Sequence, residues 1–224
     1  MLIWLASYPR SGNTLLRILL NRGFGLETLS LYDDHFEGGY DRVFQQVVAH
    51  RKHGLSRDEI RAAAAALPTI VFMKTHELPD DDAKAICIVR DGRASVVSYY
   101  HYRRDIAGED VQLADVIKGD VWGGDWSSHA RAWTLSGRAN TLMLRYEDIV
   151  ADPEQALRRI AEFSDLPAPA AVADVDFASL HSAMPQFFRT GSNSMNIAEL
   201  RGADLALFWE RHGQTMSELG YPGK

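Results

Sequence analysis

Residues 7–14 have the residue types and the position of a loop that binds an anionic group. They follow a short apolar run, residues 2–7, and precede a stretch whose leucines and isoleucine recur at helical spacing. Between a strand and a helix, backbone N–H groups and the positive end of the helix can bind a phosphate together. A tight turn in which Thr14 only caps the helix would have the same composition, so this interpretation needs support from other segments.

A comparison with the nucleotide-binding pattern G-x-x-x-x-G-K-[ST] shows what this loop lacks. Ser7 replaces the first glycine, Gly12 and Thr14 match, and Asn13 stands where the pattern has lysine. That lysine contacts the β- and γ-phosphates of a bound nucleotide, so its absence disfavours transfer of a γ-phosphoryl group. The loop carries a different cation, Arg10.

A second candidate anion site follows another apolar run, residues 85–89. Arg90 ends that run, and Ser98 lies about two turns into the helix predicted to follow. An arginine at the end of a strand and a hydroxyl on the next helix can bind a second phosphate.

A lysine and a histidine follow a third apolar run, residues 69–73. Lys74 and His76 come next, and Pro79 lies shortly beyond. At the carboxyl end of a strand, an imidazole can accept the proton of an attacking hydroxyl, a step worth about 10²–10⁴-fold in rate. A lone histidine at a strand end is more often structural, but the neighbouring Lys74 and the flanking anion motifs favour catalysis.

Together these segments closely resemble the sulfotransferases that use 3′-phosphoadenosine 5′-phosphosulfate (PAPS). The motifs of that family read Y-P-K-S-G-T-T-W, K-T-H and R-N-P-x-D-x-x-V-S-Y-Y, and this chain has YPRSGNTL at 8–15, KTH at 74–76 and RDGRASVVSYY at 90–100. The similarity continues at residues 144–148 and 187–191, and weakly at residues 207–210. The resemblance implies a P-loop NTPase-like sulfotransferase fold, in-line transfer of a sulfuryl group from PAPS to a hydroxyl or amine, and 3′,5′-bisphosphate (PAP) as product.

The resemblance also implies roles for individual residues. The 5′-phosphosulfate would be surrounded by Arg10, Ser11, Gly12, Asn13 and Thr14. Arg90 and Ser98 would hold the 3′-phosphate, Tyr146 would approach the adenine, and a late loop with Arg189 and Gly191 would close over the 3′-phosphate. The catalytic residues would be His76 as base, with Arg10 and Lys74 neutralising charge on the leaving group.

Three positions depart from the family pattern. Arg10 replaces a lysine and keeps the charge, but a guanidinium cannot donate a full proton. Leu15 replaces a tryptophan, so another aromatic such as Tyr146 or one of residues 99–100 must stack on the adenine. Thr190 replaces a basic residue of the late motif.

No metal is expected, because a sulfuryl group carries less charge than a γ-phosphoryl group and needs no Mg²⁺ to neutralise it. His50 and His53 are three residues apart without further ligands nearby, which favours a solvated helical face. The main alternative is a small-molecule kinase on the same phosphate-loop fold, with Asp91 as the one available Mg²⁺ ligand at a strand end. A catalytically silent nucleotide-binding or scaffold protein is a third possibility.

Strands alternating with helices position these motifs. Apolar runs at residues 2–7, 69–73, 85–89 and 141–145 are separated by helical patterns at 12–21, 57–67, 93–102, 152–166 and 205–219. Asp152 followed by Pro153 is typical of a helix N-terminus. The pattern predicts an α/β fold: a three-layer parallel sheet with helices on both faces and a ligand crevice at the carboxyl ends of the strands. Residues 25–54, 104–125 and 168–196 are expected as loops and short helices over that crevice.

Composition limits the partners and the compartment. The chain has 224 residues with 24 Lys plus Arg and 30 Asp plus Glu, a net charge of −6 and a pI near 5.7, which argue against nucleic acid and against an anionic membrane surface. Cys87 has no partner for a disulfide and lies in an apolar run, as a buried thiol would. The first apolar run is too short for a signal peptide or a membrane span. We therefore expect one cytoplasmic domain, 1–224.

The acceptor is the least determined part of the prediction. Residues 31–36 and 122–126 offer aromatic and acidic side chains that could line a pocket, although packing within surface loops is equally compatible. The chain is short for a sulfotransferase of small hydrophobic alcohols. This favours an open cleft and a small-molecule or natural-product acceptor that is large or polar.

Overall fold

The computed structural model describes residues 1–32, 54–170 and 197–223. Its centre is a five-stranded parallel sheet with the strand order β2-β3-β1-β4-β5. The strands are β1 Leu2–Ser7, β2 Leu29–Ser30, β3 Val71–Thr75, β4 Lys84–Val89 and β5 Thr141–Arg145. Because the strands are parallel, the residues that follow each of them meet at one edge of the sheet.

Helices connect the strands. They are α1 Asn13–Phe24, α2 Arg57–Ala66, α3 Gly92–His101, α4 Leu113–Lys118, α5 Trp126–Ala130, α6 Tyr146–Ala151, α7 Pro153–Ser164 and α8 Gly202–Glu218. Helix α3 continues as a π-helical turn over Tyr102–Ile106, and α5 continues as one over Arg131–Leu135. The predicted N-terminus of α7 is confirmed. The side chain of Asp152 caps the helix by accepting a hydrogen bond from the Gln155 N–H, and Pro153 is the first helical residue.

Apolar side chains cover both faces of the sheet. Along β1, Ile3 and Leu5 belong to a cluster with α1, α6 and α7, whereas Trp4 and Ala6 belong to a cluster with α3, α4, α5 and α8. Successive side chains of a strand point to opposite faces, so an unbroken apolar run is what a strand buried on both sides requires. The prediction of a three-layer α/β sheet is confirmed.

The boundary of β3 differs from the predicted one. The apolar run suggested a strand at residues 69–73, but the strand runs over Val71–Thr75, because Lys74 pairs with Leu5 and Thr75 with Ala6 of the central strand. The pairing with β1 therefore extends the strand past its polar lysine. His76 comes directly after its last residue.

The stretches expected as loops are partly ordered into elements. Residues 25–54 contain the edge strand β2, and residues 104–125 contain α4. Residues 171–196, which include most of the third stretch, lie outside the described residues. No helix within the described part of the chain is long and apolar enough to cross a membrane.

Candidate active site

The loop between β1 and α1 has the backbone geometry of an anion-binding turn. Arg10 and Gly12 have positive φ values of 64° and 108°. Helix α1 begins at Asn13 with no side-chain cap among the described residues, so its first N–H groups face no competing acceptor of that kind. Ser11 lies within 3.2 Å of Ser95 on α3, measured between the hydroxyl oxygens. The contact between Ser11 and Ser95 thus fixes the loop to α3, while no side-chain cap competes with an anion at the N-terminus of α1.

The side chain of Asn13 connects the start of α1 to strand β1. Its buried side-chain amide donates to the carbonyl oxygen of Leu5 at 2.8 Å and to Ser7 Oγ at 3.2 Å. An amide that points back to the strand cannot also reach a ligand, so Asn13 can contact an anion only through its backbone N–H. The side chain that replaces the P-loop lysine closes the turn.

Gly12 is packed directly against the ring of Tyr146. A Cβ atom built on Gly12 would lie 2.5 Å from Tyr146 Cδ2. No side chain fits there, and only glycine adopts this φ without strain. Tyr146, the first residue of α6, is buried, and burial raises the pKa of its hydroxyl while Arg90 opposes that rise.

We expect Gly12→Ala to deform the loop. A left-handed residue with a Cβ costs about 1–2 kcal/mol, and overpacking adds about 1–3 kcal/mol. Thermal unfolding and PAP titration by calorimetry should show a lower Tm and weaker binding. Gly25→Ala is the matched control, because Gly25 also has a positive φ, 66°, but a Cβ placed there would have nothing within 4 Å. Equal effects of the two substitutions would contradict the role assigned to the Tyr146 contact.

Two arginines meet behind the loop. Arg90 Nη1 donates to the carbonyl oxygen of Arg10 at 3.0 Å, and Arg10 Nε lies 3.4 Å from Ser98 Oγ. Arg90 stacks on Tyr146 with its Cζ 4.6 Å from the ring centroid, and Arg10 lies 5.4 Å from the ring of Tyr102. The structure therefore brings the two predicted anion sites into one continuous positive region.

Arg90 is buried, which is expensive for a charge. Burial lowers the pKa of its guanidinium, and Tyr146, Glu147 and Asp91 oppose that shift. Arginine stays protonated in proteins even so. The aromatic ring and the carboxylates near Arg90 compensate part of the cost of burying its charge.

The backbone beside Arg90 is held by residues far away in the sequence. Glu147 Oε1 accepts a hydrogen bond from the N–H of Asp91 at 3.0 Å. Tyr221 lies near the C-terminal end of the described chain. Its hydroxyl is 3.0 Å from Glu147 Oε2 and 3.2 Å from the carbonyl oxygen of Val89. The sequence motifs assign no role to Glu147 or Tyr221. Glu147 adjoins the predicted Tyr146, but no local signal marks Tyr221.

His76 lies next to the phosphate loop with a defined ring orientation. Its Nδ1 is 2.7 Å from the carbonyl oxygen of Ser7. A carbonyl oxygen only accepts, so Nδ1 carries the proton and donates it, which leaves the lone pair on Nε2. The side chain of Lys74 lies on the same strand end, with Nζ 5.5 Å from the ring centroid of Tyr32.

Aromatic rings surround His76. Tyr32 stacks on the imidazole with ring centroids 5.6 Å apart and planes at 8°, and Trp122 contacts both rings edge-on. Trp122 keeps 48% of its surface exposed, whereas Trp126 from the same predicted pocket segment is 1% exposed and belongs to the core. The segment at 122–126 thus contributes one residue to the crevice and another to the interior.

The other predicted residues fall into two groups. Leu15 is buried in the cluster between α1 and the sheet, so it packs in the core where the family pattern has tryptophan. Arg189 and Gly191 lie outside the described residues, as do His50, His53 and residues 33–36 of the other pocket segment. Across residues 1–32, 54–170 and 197–223, no group of three His, Cys, Asp or Glu side chains could hold a metal ion.

Comparison with known proteins agrees with this geometry. Residues 2–195 match the model of the sulfotransferase domain family. Sulfotransferase 1C2 of Oryctolagus cuniculus is 25% identical over 180 residues, covering 71% of this chain and 57% of the relative. Sulfotransferase 2B1 of Homo sapiens is 34% identical over 115 residues, covering 48% of this chain and 31% of the relative. The chain spans about half or less of the length of these curated relatives.

Solved structures share the fold. Mouse sulfotransferase SULT7A1 complexed with PAP superposes with a TM-score of 0.69 at 22% identity, covering 97% of this chain and 85% of the other. Retinol dehydratase in a complex with retinol and PAP gives a TM-score of 0.68 at 17% identity, covering 99% and 83%. Because the family model matches residues 2–195, which is most of the chain, the chain belongs to the sulfotransferase domain family.

Proposed function

We propose that this protein transfers a sulfuryl group from PAPS to a hydroxyl or amine of an acceptor molecule by in-line displacement, with His76 as the general base. The observation that carries the proposal is the hydrogen bond from His76 Nδ1 to the Ser7 carbonyl oxygen, 2.7 Å long. In the neutral imidazole this bond leaves the lone pair on Nε2 beside the anion-binding loop, which is the state that a base requires. The acceptor oxygen or nitrogen bonds to sulfur, the bond from sulfur to the bisphosphate breaks, and the acceptor proton goes to Nε2.

The residues present fit the donor. PAPS, when bound, supplies the sulfuryl group and leaves as PAP. The uncapped N-terminus of α1 and the left-handed turn at Gly12 support binding of the 5′-phosphosulfate by the backbone of residues 10–14. The buried Arg90 and the half-buried Ser98 support binding of the 3′-phosphate. Tyr146 supplies an aromatic ring for the adenine, and Arg189 with Gly191 completes the proposed set.

Arg10 and Lys74 stabilise negative charge on the departing bisphosphate. Arg10 reaches Ser98 while its own carbonyl oxygen binds Arg90, so it connects the two phosphate sites. A guanidinium stabilises charge without giving up a proton, and the loose transition state of such transfers depends mainly on positioning and charge.

We infer a small-molecule or natural-product acceptor. Retinol dehydratase, which shares this fold, forms complexes with retinol and with androsterone. In this chain the exposed indole of Trp122, in contact with His76, offers an apolar surface at the site of proton transfer. A single domain in the cytoplasm remains part of the proposal, and the buried Cys87, whose thiol pKa is raised by burial, is compatible with it.

The kinase alternative is not favoured. Asp91, its one candidate Mg²⁺ ligand, caps α3 by accepting from the N–H of Arg93 at 2.9 Å and pairs with the Arg93 guanidinium at 2.7 Å. These bonds commit the carboxylate to the helix N-terminus. Asn13 is likewise committed to the strand in place of a phosphate-binding lysine.

The direct test is a transfer assay with radiolabelled PAPS against a panel of phenols, alcohols, amines and sugars. We expect label to appear in at least one acceptor and PAP to bind in calorimetry. ATP turnover with the same panel is the control and should be absent. PAP binding without transfer to any acceptor would favour a silent nucleotide-binding protein, and ATP turnover would favour the kinase.

A further inference from the structure

We propose that Tyr32 is a positioning residue, which holds the imidazole of His76 and the ammonium group of Lys74 in the arrangement that catalysis needs. The inference rests on the proposed function, because it concerns how the proposed base is kept in place. Tyr32 belongs to neither the phosphate loop nor the KTH segment, and it comes from the edge of the sheet.

Hydrogen bonds connect the segment just before Tyr32 to strand β3. Strand β2 pairs with β3 so that Ser30 faces Lys74, and the N–H of Leu31 donates to the carbonyl oxygen of Lys74 at 3.2 Å. The N–H of Tyr32 then donates to Ser30 Oγ at 3.2 Å. The short edge strand therefore sets where the tyrosine ring can lie.

The side chain of Tyr32 makes three contacts with the catalytic segment. Its hydroxyl oxygen accepts from the backbone N–H of His76 at 2.7 Å, its ring lies parallel to the imidazole, and Lys74 Nζ is 5.5 Å from its ring centroid. Burial raises the pKa of the Tyr32 hydroxyl, so the group stays neutral. One residue thus contacts the backbone of His76, its ring and the neighbouring cation.

The other neighbours of His76 leave a role for this contact. The hydrogen bond to the Ser7 carbonyl oxygen sets which nitrogen is protonated, but this bond and the 3.4 Å contact with Ser7 Oγ both lie at Nδ1, so they allow the ring to tilt about that atom. The indole ring of Trp122 contacts the imidazole edge-on, with the two ring planes at 89°, so it restrains one edge of the imidazole. The parallel face of Tyr32 restrains the plane of the ring. An error of about 1 Å in placing a catalytic group can cost about 100-fold in rate.

The test compares Tyr32→Leu and Tyr32→Phe. We expect Tyr32→Leu to lower kcat about 10–100-fold, with the KM for the acceptor and the Kd for PAP close to those of the parent protein. Tyr32→Phe keeps the stacking face and should recover most of kcat. Phe163→Leu is the matched control, because Phe163 is a partly buried aromatic residue on α7 whose ring centroid lies 5.2 Å from Lys84 Nζ, a contact of the same kind as that between Tyr32 and Lys74. It should leave kcat unchanged.

A second readout does not depend on finding an acceptor. Without the Tyr32 ring the imidazole can tilt, and it then keeps its hydrogen bond to the Ser7 carbonyl oxygen only part of the time. Long-range ¹H–¹⁵N spectra of the imidazole should therefore show His76 in a single Nδ1-protonated tautomer in the parent protein and a mixture of tautomers in Tyr32→Leu. An unchanged spectrum, or a raised acceptor KM at unchanged kcat, would overturn the proposal. A parallel fall in Tm and PAP affinity would do so as well, since it would mean that Tyr32 only stabilises the fold. If transfer fails in the parent protein but the tautomer shifts, the proposed function fails and the positioning role stands.

Discussion

His76→Ala and His76→Asn should each lower kcat for sulfuryl transfer about 10²–10⁴-fold, the usual contribution of a general base. The Asn variant is informative because its amide can replace the Nδ1–H donor to the Ser7 carbonyl oxygen, which lies 2.7 Å from Nδ1. It keeps that contact of the loop and removes only the basic nitrogen. Rates are measured with a saturating acceptor from the transfer screen, and PAP affinity is measured by calorimetry.

Both His76 variants should bind PAP about as tightly as the parent protein. The reason is that His76 contacts the loop through a carbonyl oxygen, which an anion does not use. If the Asn variant kept the parent kcat, His76 would orient the loop and another group would be the base. If both variants lost PAP binding, the fall in rate would reflect the cofactor site.

Arg90→Ala should weaken PAPS and PAP binding more than any other single arginine substitution among the described residues. A hydrogen bond to a charged group contributes about 1.5–3 kcal/mol, so losing two to a phosphate lowers affinity about 10²–10⁴-fold. The substitution also removes the bond to the Arg10 carbonyl oxygen and the stacking on Tyr146. Titration calorimetry with PAP at several salt concentrations measures the loss directly.

Two further variants separate the causes of that loss. Arg90→Lys keeps the charge without the planar fork, and we expect an intermediate affinity. Arg158→Ala removes the same charge from an exposed position on α7, where Arg158 pairs with Glu154 at 3.6 Å. It should leave affinity unchanged. If Arg90→Ala bound PAP like the parent protein, the assignment of the second phosphate motif would be wrong.

The sequence predicts those parts of the fold that produce a recognisable pattern within one short segment of the chain. A strand buried on both faces leaves an unbroken apolar run, and β1 and β4 are predictable for that reason. The edge strand β5 is largely half-buried, but its apolar residues form a similar run. A strand followed by a glycine turn and a helix marks the phosphate loop in the same way. Because parallel strands end at one edge, the order of motifs along the chain already implied that Arg10, His76 and Arg90 would meet.

The parts that could not be predicted depend on contacts between distant segments. The length of β3 follows from its pairing with β1. The parallel contact between the rings of His76 and Tyr32 depends on a tyrosine two residues beyond the edge strand β2. Leu15 could be recognised as a departure from the family pattern, but its burial in the core depends on how α1 packs. The roles of Arg189 and Gly191 stay predictions, since both lie outside the described residues.

The hydroxyl of Tyr221 also bears on the order in which the protein is made. It reaches Val89 across 132 residues and Glu147 across 74 residues, at the strand end that carries Arg90. Ribosomes deliver the N-terminal part of a chain first, and domains begin to fold as they emerge. Arg90 is therefore synthesised long before Tyr221, which fixes the strand end beside it. In a nascent chain the proposed 3′-phosphate site gains this contact only after Tyr221 has emerged.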